Sequence, residues 1–184
     1  SLVSVDLPPN ITSIGDSTFQ GCSSLVSVDL PPNITSIGTA AFQGCSSLAS
    51  IELPPRINTL GHRVFNFCVA LTLVTIPPTI TTISDTLFSY CTNLTSITLP
   101  DSITTISDNA FYGCSSLASI DLPSTINTIG HWAFNDCHSL TSIHLPENLI
   151  AISNQAFAEC SRLARITLRS SSFNSDGVSF GKIL

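Results

Sequence analysis

The apolar positions of this chain recur on one 23-residue frame. In residues 94–116, Leu94, Ile97, Leu99, Ile103, Ile106, Ala110, Phe111 and Cys114 carry the pattern, with Ser, Thr, Asp and Asn between them. Ile97 and Leu99 alternate with polar residues, a period of two that predicts a strand with one buried face. Pro100 ends it, because proline cannot donate to a ladder and sits at strand ends. Ile103-Thr-Thr-Ile106 is rich in β-branched residues and predicts a second short extended stretch. Asp108 suits an N-cap, and the following run through Ala110-Phe111 to Cys114 predicts one or two helical turns. Each copy therefore reads as strand, turn, extended segment and short helix.

The frame does not slip. Cysteines stand at 22, 45, 68, 91, 114, 137 and 160, each 23 residues after the last, and a Phe precedes every one by three. A fixed period in the range of roughly 20–50 residues marks one supersecondary unit stacked many times, a solenoid and not a globule. A single unit of 23 residues cannot bury its own Leu, Ile, Phe and Cys columns, so stacking must bury them as continuous ladders. Eight strands, near 2–8, 25–31, 48–54, 71–77, 94–100, 117–123, 140–146 and 163–168, are expected to form one parallel sheet. Helices need more room than strands, which predicts the sheet on the concave side and short helices or turns on the convex side. The fold class expected is α/β. Residues 1–168 would form the solenoid (seven 23-residue repeats plus a final strand) and 169–184 a C-terminal cap or linker.

Composition narrows the class of partner. Of 184 residues, 43% are hydrophobic and only 10% charged, so burial is assured. A formal net charge of −6 argues against nucleic acid, which needs a basic face to neutralise phosphates. Apolar runs never exceed a few residues, so this segment is not expected to insert in a membrane. The chain opens mid-repeat at Ser1, without an initiator Met or signal peptide, and reads as an excised or mature segment.

The pattern Cys-Ser-Ser-Leu-x-Ser-Ile-x-Leu-Pro, followed by Ile-x-x-Ile-Gly-x-x-Ala-Phe-x-x-Cys, resembles the BspA-type (Treponema pallidum-type) leucine-rich repeat over residues 2–168. The resemblance implies a right-handed leucine-rich-repeat solenoid from the bacterial and protist surface proteins in which this family is found. It implies protein binding and adhesion without catalysis, at the cell surface or in secreted form, toward a host, matrix or other surface protein. The chain departs from the family pattern at 169–184, where Arg169 replaces the strand-ending proline and no Phe-x-x-Cys recurs. An Asp176-Gly177 pair signals a turn there.

Few residues suggest chemistry. Zinc sites need ligands at close spacing, typically Cys pairs two to four residues apart. Here one Cys per repeat forms a file behind the Phe column, which reads as a buried thiol ladder. Disulfides between neighbouring repeats or a metal site are the alternatives, weakened by parallel Cβ vectors, an odd cysteine count and the wide spacing. His62 and His131 share a repeat column but stand three repeats apart, and His138 and His144 have no carboxylate or Cys arrangement near them. All four read as surface histidines. No nucleophile elbow, phosphate loop or His-Glu-x-x-His occurs. Neither catalytic residues nor a metal or cofactor is expected.

Binding should lie in the columns that packing leaves variable. One strand column reads Ser4, Ser27, Ser50, Leu73, Ser96, Ser119, Ser142, Arg165, and another Asp6, Asp29, Glu52, Thr75, Thr98, Asp121, His144, Thr167. Asp6, Asp29 and Glu52 would lie side by side, where like charges destabilise pairing. A basic partner or a cation would account for them. So would a solvated stripe left by duplication, since residues 1–23 and 24–46 differ at only three positions. Leu73 interrupts the serines. Phe67 and Tyr90 stand where other repeats carry Gly, Asp or Glu, and should be neighbours in an apolar patch that marks either a contact or local packing. Trp132, Tyr112 and His131 form a weaker candidate. Sequons at Asn10, Asn33 and Asn93 would accept glycans in a eukaryotic secretory pathway, or reflect chance in a Thr-rich chain.

Two other functions are compatible with the sequence. Arg162, Arg165, Arg169 and Lys182 oppose only Asp176 in residues 162–184, whereas residues 1–161 hold two basic and eleven acidic residues. That polarity would suit end-to-end self-association into a fibre. A host-directed effector or scaffold is the third reading, favoured if all seven thiols are reduced.

Overall fold

The computed structural model describes residues 2–168 and 179–180. Among them the chain runs as a parallel solenoid, each 23-residue repeat forming one rung of three segments: strand, second extended stretch and turn. The strands are β1 (Ser13–Ile14), β2 (Ser36–Ile37), β3 (Thr59–Leu60), β4 (Leu73–Thr75), β5 (Thr82–Ile83), β6 (Ser96–Thr98), β7 (Thr105–Ile106), β8 (Thr128–Ile129), β9 (Ser142–Leu145), β10 (Ala151–Ile152), β11 (Arg165–Leu168) and β12 (Ser179–Phe180).

The Ile-x-x-Ile stretches form the more continuous ladder. β1-β2-β3 make one sheet and β5-β7-β8-β10, with β12, another. The register between successive repeats is 23 residues, as in Ser13↔Ser36 and Thr105↔Thr128. The ladder opens between β3 and β5. There the Ser84 hydroxyl donates to the Leu60 carbonyl at 2.7 Å, whereas elsewhere a backbone N–H fills that role, as from Gly61 to Ile37 at 2.9 Å. Strand β12 lies beside β10 in register Ala151↔Ser179. Residues 169–178 and 181–184 of the expected tail lie outside the described residues.

The leading strands do not form the single eight-stranded sheet that their pattern suggests. Among the described residues only β4-β6 and β9-β11 pair, with an isolated bridge Ser50↔Leu73. Other rungs are joined here by one bond each, such as Val26 N–H to Val3 O at 3.0 Å and Ala49 N–H to Val26 O at 3.3 Å. Closer pairing would hold the acidic residues of the first three rungs opposite one another. Residues 119–122 are also unpaired, for which the side chains offer no reason.

The third segment is a turn and not a helix, and among the described residues no helix occurs. Alternate N–H groups leave the rung: Ser17, Phe19 and Gly21 donate to the carbonyls of Thr39, Ala41 and Gln43 at 2.7–2.8 Å. The intervening ones turn back three residues, as Cys22 does to Phe19 at 3.0 Å. A helix directs all its N–H groups along its own axis and so cannot hydrogen-bond to the next rung. The alternation needs left-handed backbone twice per turn, as at Ser17 and Gly21, and seven rungs repeat it. Eleven of those positions are not glycine, at a cost of roughly 1–2 kcal/mol each that the inter-rung bonds and core offset.

The core is a set of files. The rings of Phe19, Phe42, Phe65, Phe88, Phe111, Phe134 and Phe157 stack rung on rung at 5.2–6.0 Å, nearly parallel. Beside them, six cysteines are buried and Cys22 is half-buried, all free thiols. Each buried Sγ donates to the carbonyl of the Phe one rung earlier, from Cys45 to Phe19 at 3.1 Å through Cys160 to Phe134 at 3.0 Å. Burial pushes the thiols of Cys45 and Cys160 up to about 11, and raises those of Cys68, Cys91, Cys114 and Cys137 well above their ordinary value. A thiol held protonated by an apolar surround, and used as a donor, is a structural element.

Candidate functional site

Two segments of the rung carry the residues that break the repeat. On the strand face, Asp6, Asp29, Glu52, Leu73, Thr75, Thr98, Asp121 and His144 are all exposed. The period of two places them outward while Val28, Ile51, Val74 and Ile97 fill the core. Pairing aligns Thr75 with Thr98 and Leu73 with Ser96.

Two adjoining hollows lie on part of this face. A hollow of about 410 Å³ is lined by Ser27, Asp29, Ser50, Glu52 and Pro54. A second, of about 480 Å³, is lined by Ser50, Glu52, Leu73 and Thr75. Ser50 and Glu52 border both, so the two make one groove across three rungs. It lies partly where the backbone ladder is open, between residues 27–31 and 50–54. Its rim is acidic at Asp29 and Glu52 and apolar at Leu73, which is 52% exposed. Asp6, Thr98, Asp121 and His144 share the face without lining the groove.

The turn segment carries the second group. Phe67 and Tyr90 stack with ring centroids 4.6 Å apart and 7° between planes. Tyr112 meets Tyr90 edge-on at 5.2 Å. The neighbouring column holds an amide file: Gln20 donates to Gln43 at 3.1 Å, Gln43 to Asn66 at 2.9 Å, and Asn66 to the Ser89 carbonyl at 3.0 Å. The amides and Tyr112's part in the aromatic cluster were missed by column-by-column reading. Comparison of adjacent columns, 66/67, 89/90 and 112/113, shows both.

The remaining candidates are dispersed. Trp132 donates from Nε1 to Gln155 Oε1 at 2.7 Å, and His131 lies tilted beside it at 6.3 Å, apart from Tyr112 and the other aromatics. His62 sits 3.5 Å from Asp85, and His138, expected to have no carboxylate near it, in fact lies 3.7 Å from Asp136, two residues before it. All four histidines are exposed, as are Asn10, Asn33 and Asn93. Among the described residues no group of three His, Cys, Asp or Glu side chains is arranged to hold a metal ion. No described helix is long and apolar enough to cross a membrane.

A family model described as the BspA type leucine rich repeat region matches residues 1–94 and 81–182, in six copies. The Treponema pallidum leucine-rich repeat protein is 34% identical, with a TM-score of 0.79 over 88% of this chain and 78% of its own. A Bacteroides ovatus leucine-rich repeat protein is also 34% identical, with a TM-score of 0.85 over 89% of this chain but 45% of its own. A leucine-rich cell surface protein of Faecalibacterium prausnitzii is 25% identical at a TM-score of 0.57, covering 91% of this chain and 60% of its own. No curated protein matches.

Proposed function

Since the chain belongs to the BspA-type leucine-rich repeat family, we propose that it is a non-catalytic protein-recognition module of a surface or secreted protein, acting in adhesion. Leucine-rich repeats of this family are protein-interaction modules. The strand face, expected to be concave, is the proposed contact surface. The observation that carries this reading is the groove bordered by Asp29, Glu52 and Leu73. Two carboxylates beside an exposed Leu complement a partner segment that presents basic side chains next to an apolar one. Folding alone favours neither the carboxylates side by side nor the Leu in a serine column. The name of the Faecalibacterium relative supports placement at the surface. Residues 1–168 are proposed as the recognition unit and 169–184 as its cap, a reading supported by Ser179–Phe180 lying beside β10.

Surface plasmon resonance of the chain against a panel of host-surface and matrix proteins tests this. The Glu52→Lys and Leu73→Ser variants should each weaken any binder found, by about tenfold per 1.4 kcal/mol lost. Binding that both variants leave unchanged would exclude the groove.

End-to-end self-association is the second reading, supported by the basic excess of residues 162–184 against the acidic remainder. Light scattering over a range of concentration and salt should then show assembly that salt dissolves. A monomer at every concentration would remove it.

A further inference from the structure

One column of the turn segment reads Gly21, Gly44, Phe67, Tyr90, Gly113, Asp136, Glu159, and every member has left-handed backbone. Its aromatic stack leans one way. A Cβ built on Gly113 would lie 2.8 Å from the Tyr90 ring, so Tyr90 already covers that glycine. On the other side no side chain occupies the equivalent place at Gly44. A Cβ there would meet only the Gly21 backbone, at 3.6–3.7 Å, and one on Gly21 would meet nothing within 4 Å. The face of Phe67 turned away from Tyr90 therefore looks over two rungs whose column has no side chain, and Phe67 is 46% exposed. One rung is about 4.8 Å, close to the 4.6 Å at which Tyr90 stacks on the opposite face. A ring seated over Gly44 would continue the stack in step.

Gln20 and Gln43 immediately precede the two glycines, and their amides bond to one another and on to Asn66. Each primary amide has two N–H donors and a carbonyl with two lone pairs, so the file keeps unused capacity on its outer side. Residues 20–23, 43–47 and 66–70 contain no charged side chain. An open aromatic face, a glycine floor and uncharged amides suit a ring that is apolar on its face and polar at its edge. An acidic ligand would find no cation among these residues. An aromatic side chain would cover amides without satisfying them, which costs free energy. We propose that Phe67, Gly44, Gln43 and Gln20 form a subsite for a neutral pyranose ring of a glycan, distinct from the strand-face groove and independent of it. The C–H face of the sugar packs on Phe67 and its hydroxyls exchange hydrogen bonds with the glutamine amides.

Saturation-transfer NMR tests this with methyl β-glucoside, methyl β-galactoside, methyl α-mannoside and N-acetylglucosamine, alongside N-acetyltyrosinamide. At least one sugar should receive saturation at its ring protons, and Phe67→Ala should weaken its binding by about tenfold or more. Gly44→Phe should abolish it while the protein still folds cooperatively, with a melting temperature lower by only a few degrees, because Phe67 already adopts the same left-handed backbone one rung on. If Phe67→Ala fails to fold, Gly44→Phe decides alone. Transfer to none of the four sugars, transfer that survives Gly44→Phe, or binding of the tyrosinamide alone would overturn the proposal.

Discussion

The thiol of Cys114 donates to the carbonyl oxygen of Phe88, one rung earlier, at 3.1 Å. The same carbonyl also accepts the N–H of Cys91 at 3.1 Å. Each buried cysteine therefore ties its rung to the previous one, and the Phe column supplies the acceptors. Serine would offer a stronger donor with less apolar volume, and alanine a smaller apolar group with no donor. Cysteine meets both demands at a buried position.

The thiol ladder predicts a sharp division in reactivity. With a disulfide reagent at neutral pH, half-buried Cys22 should react promptly in the native protein and the other six only on unfolding. Rapid modification of several thiols without loss of structure would refute the ladder.

It also predicts alkaline lability. Folded thiol values lie above the unfolded value of 9.0, reaching about 11 for Cys45 and Cys160. Above pH 9 the unfolded chain releases protons that the folded chain retains, so stability falls with rising pH. It is fully present below pH 9 and declines through pH 11, by up to about 1.4 kcal/mol per thiol per pH unit. Denaturant midpoints measured from pH 7 to 11 should show the decline beginning near 9, and replacing Cys91 with Ala should make it shallower.

Phe88 lies at the middle of the aromatic file, with ring neighbours at 5.5 and 5.6 Å. Phe88→Ala should cost about 3–5 kcal/mol. Because rungs contact mainly their neighbours, the cavity should also split the single unfolding transition into two, which calorimetry would show.

Thr86 holds left-handed backbone at φ 60°, which a β-branched residue tolerates poorly. Asn109 occupies the equivalent position one rung on, at φ 56°. Thr86→Asn should stabilise the protein by about 0.5–1 kcal/mol, read as a higher denaturant midpoint with unchanged slope.

Gly130 admits no side chain in its present position, since a Cβ would lie 2.6 Å from the backbone nitrogen of Asp108. Asp108 Oδ1 also accepts the N–H of His131 at 2.7 Å. Gly130→Ala should destabilise by about 1–3 kcal/mol as the two rungs separate, and amide exchange at His131 should accelerate.

The repeat frame was legible in the sequence because burial dictates it. A 23-residue unit with Leu, Ile, Phe and Cys columns can hide them only by stacking, so the solenoid, the buried thiols and the Phe67–Tyr90 neighbourhood follow from spacing alone. The turn segment was not legible. Asp108-Asn-Ala-Phe suits a helix start, and local preference cannot register that alternate N–H groups find acceptors on the next rung. The extent of the strand ladder was likewise hidden, because alternation marks which side chains turn inward but not whether neighbouring backbones close. The candidate sites divide the same way. Acidic residues, Leu73 and Phe67 could be read as departures from their columns. The groove around Glu52 and the empty place over Gly44 exist only once rungs are stacked, because each is a space between residues 23 positions apart.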